Sequence, residues 1–205
     1  QNRINMYDVL IIGGGAAGYG CALTLASVEN TQEWAKDKKY LMIDNGKSDI
    51  LNASFFNLAG VQFGIGGDEL YAKMQAQLSN FKSCETKNDT VIKLSKDGDT
   101  FVVTTQNESY IAKVVVIATG MHKFEIDCEL TNVITHSDVM KPGKVALDNN
   151  DNKISENLYV AGLASGAKTM FAIANGEGAK VACEIFKSWT GKSAVAHDTI
   201  KDKIV

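Results

Sequence analysis

Apolar residues in this chain come in short runs closed by glycine or by polar joins, and the length of each run sets the element it predicts. The first run, Val9-Leu10-Ile11-Ile12, is unbroken, as expected of a strand buried on both faces. Glycines follow at once, in Gly13-Gly14-Gly15-Ala16-Ala17-Gly18, and open a helix through residues 19–26. The polar stretch 30–39 reads as an extension of that helix. A second apolar run, Tyr40-Leu41-Met42-Ile43, predicts another buried strand and ends in Asp44. Residues 45–49 carry turn chemistry, and residues 50–60 have mixed periodicity, as in a loop holding a short helical or extended piece. Residues 68–78 predict a helix with Leu70, Met74, Gln77 and Leu78 on one face and two acids, Asp68 and Glu69, in the first turn.

Three short alternating runs come next, at residues 90–95, 100–105 and 110–112, joined by Lys96-Asp97-Gly98-Asp99 and Gln106-Asn107-Glu108-Ser109. Such joins predict a three-stranded antiparallel meander. The chain then returns to a fully apolar strand, Val114-Val115-Val116-Ile117-Ala118, that runs into Thr119-Gly120. Residues 133–135, 144–147 and 158–161 are further short strands, the last ending in Gly162. Residues 168–189 predict a long helix, apolar at Met170, Ile173, Ala174, Val181, Ile185 and Phe186. The pattern is α/β: a three-layer fold with a parallel sheet and an inserted antiparallel β-meander. With 205 residues there is room for one well-buried domain, and the expectation is a single domain over 1–205.

The first strand, glycine turn and helix form a motif with a chemical reason. Gly13 permits the tight turn, Gly15 removes the side chain that would hold a pyrophosphate away from the backbone, and Gly18 lets helix and strand approach closely. Phosphates would then sit at the helix N-terminus, where free N–H groups and the positive end of the dipole converge. Asp44, at the end of the second strand, is placed to accept the hydroxyls of an adenosine ribose. Its distance from Gly18 exceeds the usual ~20 residues, and the stretch 30–39 accounts for the surplus.

Formal charge is -3 and no Lys/Arg cluster occupies one helix face, which argues against a nucleic-acid surface. The four cysteines, Cys21, Cys84, Cys128 and Cys183, have no C-x-x-C and no histidine at ligand spacing, so no metal site is expected. Cys21 and Cys183 read as packed thiols, Cys84 and Cys128 as exposed ones, and none as half of a disulfide. That usage points to a reducing, cytoplasmic setting. No signal peptide or membrane span is expected, since the longest apolar runs are of strand length, and the polar residues before Met6 read as a short arm.

With these motifs in place, nearly the whole chain, residues 7–191, resembles the FAD-binding domain of the thioredoxin-reductase-like flavoproteins, which have two dinucleotide-binding domains and a Rossmann-like core. The resemblance implies that Gly13, Gly15, Ala16, Ala17 and Gly18 hold the FAD pyrophosphate, and that Asp44, with Asn45 and Gly46 beside it, holds the adenosine ribose. It assigns Asn57, in Phe56-Asn57-Leu58-Ala59-Gly60, to the flavin region and Thr90-Val91 to adenine. Ala118-Thr119-Gly120 matches the second FAD motif, Gly162 closes the last strand, and Thr169-Met170 enters the helix whose N-terminus faces the flavin. FAD is thus the implied cofactor, and Gly176-Glu177-Gly178 reads as close packing.

Departures from the family pattern shape the functional expectation. Family members carry an NADPH-binding domain between the Ala-Thr-Gly strand and the closing strand, whereas residues 121–157 are too few for one here. The redox C-x-x-C of that domain is absent too, Leu163 stands where the family has aspartate, and Thr169-Met170 replaces an Arg-Gln pair. The expected function is an FAD-dependent oxidoreductase or electron-transfer component fed by a separate donor or reductase. The alternative is an FAD or ADP-ligand binding module with a structural or recognition role. His122 is read as a loop residue or a group reaching the flavin, His136 as a turn cap or a ring contact. An uncovered flavin face predicts a homodimer or partner complex, with Phe55, Phe56 and Phe63 as the candidate surface.

Overall fold

The computed structural model describes residues 6–194, 196 and 197; the polar arm before Met6 lies outside them. In chain order the elements are β1 (Met6–Ile12), α1 (Ala16–Ser27), β2 (Tyr40–Asp44), β3 (Ser54–Phe55), β4 (Ile65–Gly66), α2 (Gly67–Leu78), β5 (Cys84–Asn88), β6 (Val91–Asp97), β7 (Thr100–Thr105), β8 (Ser109–Ile117), β9 (Val133–Thr135), β10 (Val145–Leu147), β11 (Lys153–Ser155), β12 (Leu158–Val160) and α3 (Phe171–Thr190). Short 3-10 turns sit at Glu33–Ala35, Asp49–Asn52 and Gly162–Ser165.

The main sheet runs β11-β12-β8-β1-β2-β5, with β7 and then β6 continuing from β8. Pairs β1–β2, β1–β8, β8–β12 and β2–β5 are parallel. Because successive strand side chains point to opposite faces, each apolar run divides itself between two cores. Val9 and Ile11 of β1, Met42 of β2 and Val114 and Val116 of β8 pack against α1, α2 and α3. Leu10, Ile12, Leu41, Ile43, Val115 and Ile117 pack against the meander residues Leu94, Phe101, Val103 and Tyr110. The outcome is the expected three layers: helices, parallel sheet, antiparallel meander.

Four details differ from the sequence reading. The third meander strand and the apolar strand after it are one element, β8, whose outer edge pairs with β7 at residues 109–112 and with β12 at 115–117. Lys113, between the two runs, is an exposed residue of this strand whose ammonium donates to Asp8 at 3.1 Å. The polar stretch 30–39 is not a helical extension: α1 ends at Ser27, and Trp34 is drawn into an aromatic cluster with Phe186 and Trp189 at centroid distances of 5.0 and 6.2 Å. The edge strand β5 is Cys-Glu-Thr-Lys-Asn, held by backbone pairing to β2, and such a sequence carries no apolar signal. Gln77 is exposed, and the buried face of α2 is Leu70, Met74 and Leu78.

Candidate functional site

Four parallel strands end on one edge of the sheet, and their last backbone bonds define it. Gly13 N–H donates to Ile43 O at 2.8 Å, Ala118 N–H to Ile12 O at 2.8 Å and Ala161 N–H to Ile117 O at 2.9 Å. Beyond that line the loops separate, and with the start of α3 they enclose a cleft of about 590 Å³. This lies within the about 300–1,000 Å³ common for cofactor sites, at the carboxyl end of the sheet where ligands of open α/β folds bind.

The glycines divide into two kinds. Gly13 has φ +112°, and a Cβ there would lie 2.1 Å from Ala118 O. A Cβ on Gly18 would lie 1.9 Å from Gly13 O, so Gly18 serves the contact between helix and strand and does not line the cleft. Gly15 differs. Its φ is -93°, which any residue adopts, and the nearest atom to a Cβ would be Ser48 Oγ at 3.2 Å. The fold does not need glycine at position 15; the space beside it belongs to the cleft. Gly15 also caps α1 without any side-chain bond to the first-turn N–H groups, and Met170 caps α3 in the same uncapped way. Two helix N-termini with unsatisfied donors therefore face one cavity.

Of the sequence-assigned residues, Gly13, Gly15, Ala16, Ala17, Asp44, Asn45, Val91, Ala118, Thr119, Gly120, Gly162, Thr169 and Met170 line the cleft. Gly46 does not; it takes φ +71°, and its N–H donates to Asp44 Oδ1 at 3.1 Å, holding the acid. Asn57 lies beside the cleft, its amide 3.7 Å from the sulfur of Met170. Sequence reasoning missed Gly14, Ser48, Asp49, Phe124, Ile126 and Phe171, which also line the cleft. Apart from Phe171 and Asp49, which opens a 3-10 turn, they are loop residues, whose placement depends on strand order that no local periodicity encodes.

The histidines and cysteines take definite roles. His136 is buried; its Nδ1 accepts from the N–H groups of Asp138 and Val139 at 3.2 Å each, and its Nε2 donates to Leu163 O at 3.0 Å. It is a turn cap in one fixed tautomer, and it ties down the carbonyl of the residue that replaces the family aspartate. His122 is exposed on the cleft rim, between Asp49 at 2.8 Å and Lys144 at 2.9 Å. All four cysteines are free. Cys84 and Cys128 are half-buried, not exposed, and burial pushes the Cys84 thiol up to about 12 and the Cys128 thiol above its ordinary value. Neither is a ready thiolate.

A family model described as pyridine nucleotide-disulphide oxidoreductase matches residues 7–162. The chain belongs to that family. Among curated relatives, the ferredoxin–NADP reductase of Leuconostoc citreum is 31% identical over 121 residues, covering 58% of this chain and 35% of the relative. The enzyme of the same name from Streptococcus pneumoniae is 30% identical over 125 residues, with 58% and 37% covered. The chain thus spans about a third of the length of the curated relatives it matches. Among solved structures, a thioredoxin reductase from Gloeobacter violaceus has a TM-score of 0.73 at 15% identity, over 95% of this chain and 98% of that one. A ferredoxin-flavin thioredoxin reductase from Clostridium acetobutylicum has a TM-score of 0.67 at 16% identity, over 91% and 98%. These likenesses agree in fold with the three layers described above.

Proteins of this family are FAD-binding flavoproteins. The residues present fit that cofactor: the cradle that a Cβ on Gly15 would fill, the uncapped helix starts and the acid at the end of β2 are donors, space and acceptor for a dinucleotide. Among the described residues no helix is long and apolar enough to cross a membrane.

Proposed function

We propose that residues 1–205 form one FAD-binding domain of a flavoprotein oxidoreductase or electron-transfer component that receives its electrons from a separate donor. The observation that carries this reading is Gly15, which lines the cleft at a φ of -93° that any residue adopts and would bring a Cβ near one side-chain atom, Ser48 Oγ at 3.2 Å, so that glycine here leaves room for a pyrophosphate. Gly13, Gly15, Ala16 and Ala17 are then the backbone cradle, Asp44 takes the ribose, Val91 and Thr90 flank the adenine, and Ala118, Thr119, Gly120, Gly162, Thr169 and Met170 complete the wall. Asn57 and Gly46 support from outside the lining.

Bound FAD supplies the redox chemistry. The chain orients the cofactor and sets its local field: the dipole of α3 and its free N–H groups favour negative charge at the helix start without any particular side chain. Where the resemblance puts a nicotinamide-binding domain, residues 121–157 hold only the β9–β10 pair and irregular chain before the β11 turn. The donor site therefore belongs to another polypeptide segment or protein, and the setting is cytoplasmic. Of the three aromatics expected at a partner surface, Phe55 packs inward on Phe171 with rings 5.3 Å apart, whereas Phe56 and Phe63 are 63% and 78% exposed, with rings 5.1 Å apart, and are the surface left for a second subunit or partner.

Leu163 favours a second reading, that of a structural or recognition module. It offers the cleft an apolar side chain, and its carbonyl is already taken by His136. The visible spectrum of the purified protein after titration with FAD, followed by anaerobic addition of NADH, NADPH and a reduced ferredoxin, tests both. Bleaching by any donor supports the oxidoreductase. Bound flavin that none of them reduces favours the module. A chain that takes up no FAD overturns the site assignment.

A further inference from the structure

Asp44 is held on three sides by its own protein. Oδ1 accepts the Gly46 N–H at 3.1 Å, and Oδ2 accepts the hydroxyl of Tyr71. The backbone of the glycine turn closes the third side, since a Cβ on Gly14 would lie 2.5 Å from Asp44 Cγ. Tyr71 comes from α2, and its ring meets Tyr19 of α1 edge to face at 5.7 Å. Asp44 lines the cleft whereas Tyr71 does not, so the hydroxyl reaches the carboxylate from outside the cavity and leaves the cleft side open. A carboxylate has about four acceptor positions, and two remain for a ligand.

We propose that Tyr71 is a positioning residue for the cofactor's ribose: it fixes the carboxylate of Asp44 so that its open lone pairs meet the two hydroxyls of an unphosphorylated ribose. The inference rests on the FAD reading of the cleft and adds to it the residue that sets the acid's orientation. The choice of a phenol matters. Burial and the bond to Asp44 hold the Tyr71 proton well above the ordinary tyrosine range, so the group donates without neutralising its partner. Among the described residues Asp44 is in no ion pair, and its carboxylate opposes a 2′-phosphate. An arginine or lysine in the same place would donate equally well and weaken that discrimination.

The test is calorimetric titration of the wild-type chain, Tyr71→Phe, Asp44→Asn and the double variant with ADP and with 2′,3′-dideoxy-ADP. The wild type is expected to prefer ADP. Tyr71→Phe keeps the ring that packs on Tyr19 and is expected to lose about tenfold in affinity for ADP, with dideoxy-ADP unaffected. The double variant is expected to bind ADP no worse than Asp44→Asn alone, because Tyr71 acts through that carboxylate. Tyr71→Phe binding ADP as the wild type does, or losing equally on both ligands, overturns the proposal while leaving the cleft assignment intact. A wild type that binds ADP and dideoxy-ADP equally removes Asp44 as the ribose acid, and the role of Tyr71 falls with it.

Discussion

A Cβ on Gly178 would lie 1.9 Å from the carbonyl oxygen of Ala17, so α3 and α1 meet backbone to backbone. The contact is reciprocal, since a Cβ on Gly20 would lie 2.1 Å from Asn175 O. Asn175 adds a bond from its amide to Ala16 O at 3.0 Å, so the first turn of α1 is braced by α3. Gly178→Ala must push the helices apart, and a loss of about 1–3 kcal/mol is expected, as for overpacked cores. Gly176→Ala is the control: nothing lies within 4 Å of that position, and replacing an exposed helical glycine should stabilise by roughly 0.5–1 kcal/mol. Thermal melting of the two variants should move in opposite directions.

The same distinction separates folding from binding in the glycine turn. Gly13→Ala combines φ +112° with a 2.1 Å approach to Ala118 O, and is expected to cost more than 2 kcal/mol, roughly, in stability. At Gly15 a Cβ would meet Ser48 Oγ alone, at 3.2 Å, and moving that hydroxyl loosens only its long bond to the Ile50 N–H at 3.4 Å, so the apo Gly15→Val protein should lose much less stability than Gly13→Ala. Its branched side chain fills the cleft instead, and FAD retention should be lost. Flavin absorbance per chain, read beside the melting curve, checks the pair. A Gly15→Val protein that retains normal flavin would move the pyrophosphate elsewhere.

Glu177 gathers three donors from two segments on one oxygen. Oε1 accepts from Asn152 Nδ2 at 2.8 Å, Gly162 N–H at 3.0 Å and Ser165 Oγ at 2.5 Å. Asn152 in turn donates to Val160 O at 3.0 Å and takes a left-handed φ of +73°. The turn that carries Gly162 and Leu163 into the cleft is therefore pinned from α3. Glu177→Ala leaves these donors without their acceptor and should destabilise by about 2–4 kcal/mol. Glu177→Gln keeps an acceptor oxygen and should recover at least half of that. Denaturant unfolding of both variants decides the matter.

What the sequence revealed and what it hid follow from the range of the forces involved. The apolar run 9–12, the glycines after it and the acid closing residues 40–44 are local signals, and the structure brings Gly13, Gly15 and Asp44 to one cleft while Gly18 stays in the contact between helix and strand. By sequence Gly176-Glu177-Gly178 reads as close packing, yet of its two glycines only Gly178 packs. Gly176 faces open space, and Glu177 is a hub of hydrogen bonds to residues 12, 15 and 25 positions away. No periodicity carries such information. The polar strand β5 was invisible because backbone pairing to β2, not side-chain burial, makes it a strand. The cleft wall that holds Asp44, Asn45 and Val91 needed the loop after β2 and the start of the meander to converge, which depends on strand order across the whole sheet.

Alkaline pH should unfold the protein through its phenols. Burial pushes the hydroxyls of Tyr19, Tyr7 and Tyr110 up to about 12, with the Glu85 carboxylate adding to the effect on Tyr7 and Glu108 adding to that on Tyr110. In the unfolded chain the same groups titrate near 10, roughly. Below that pH both states hold these protons and the phenols impose no penalty. Between about 10 and about 12 the unfolded chain releases protons that the folded chain still binds, so stability falls as pH rises through that window. Tyrosinate absorbance should therefore appear together with loss of folded circular dichroism in one transition. Tyr7→Phe removes one of these raised phenols, and with it the bond to Glu85 at 3.1 Å, so its stability at neutral pH should drop slightly while its slope against pH becomes shallower. Phenols that ionise near 10 while the circular dichroism stays native would show that these side chains reach solvent without unfolding.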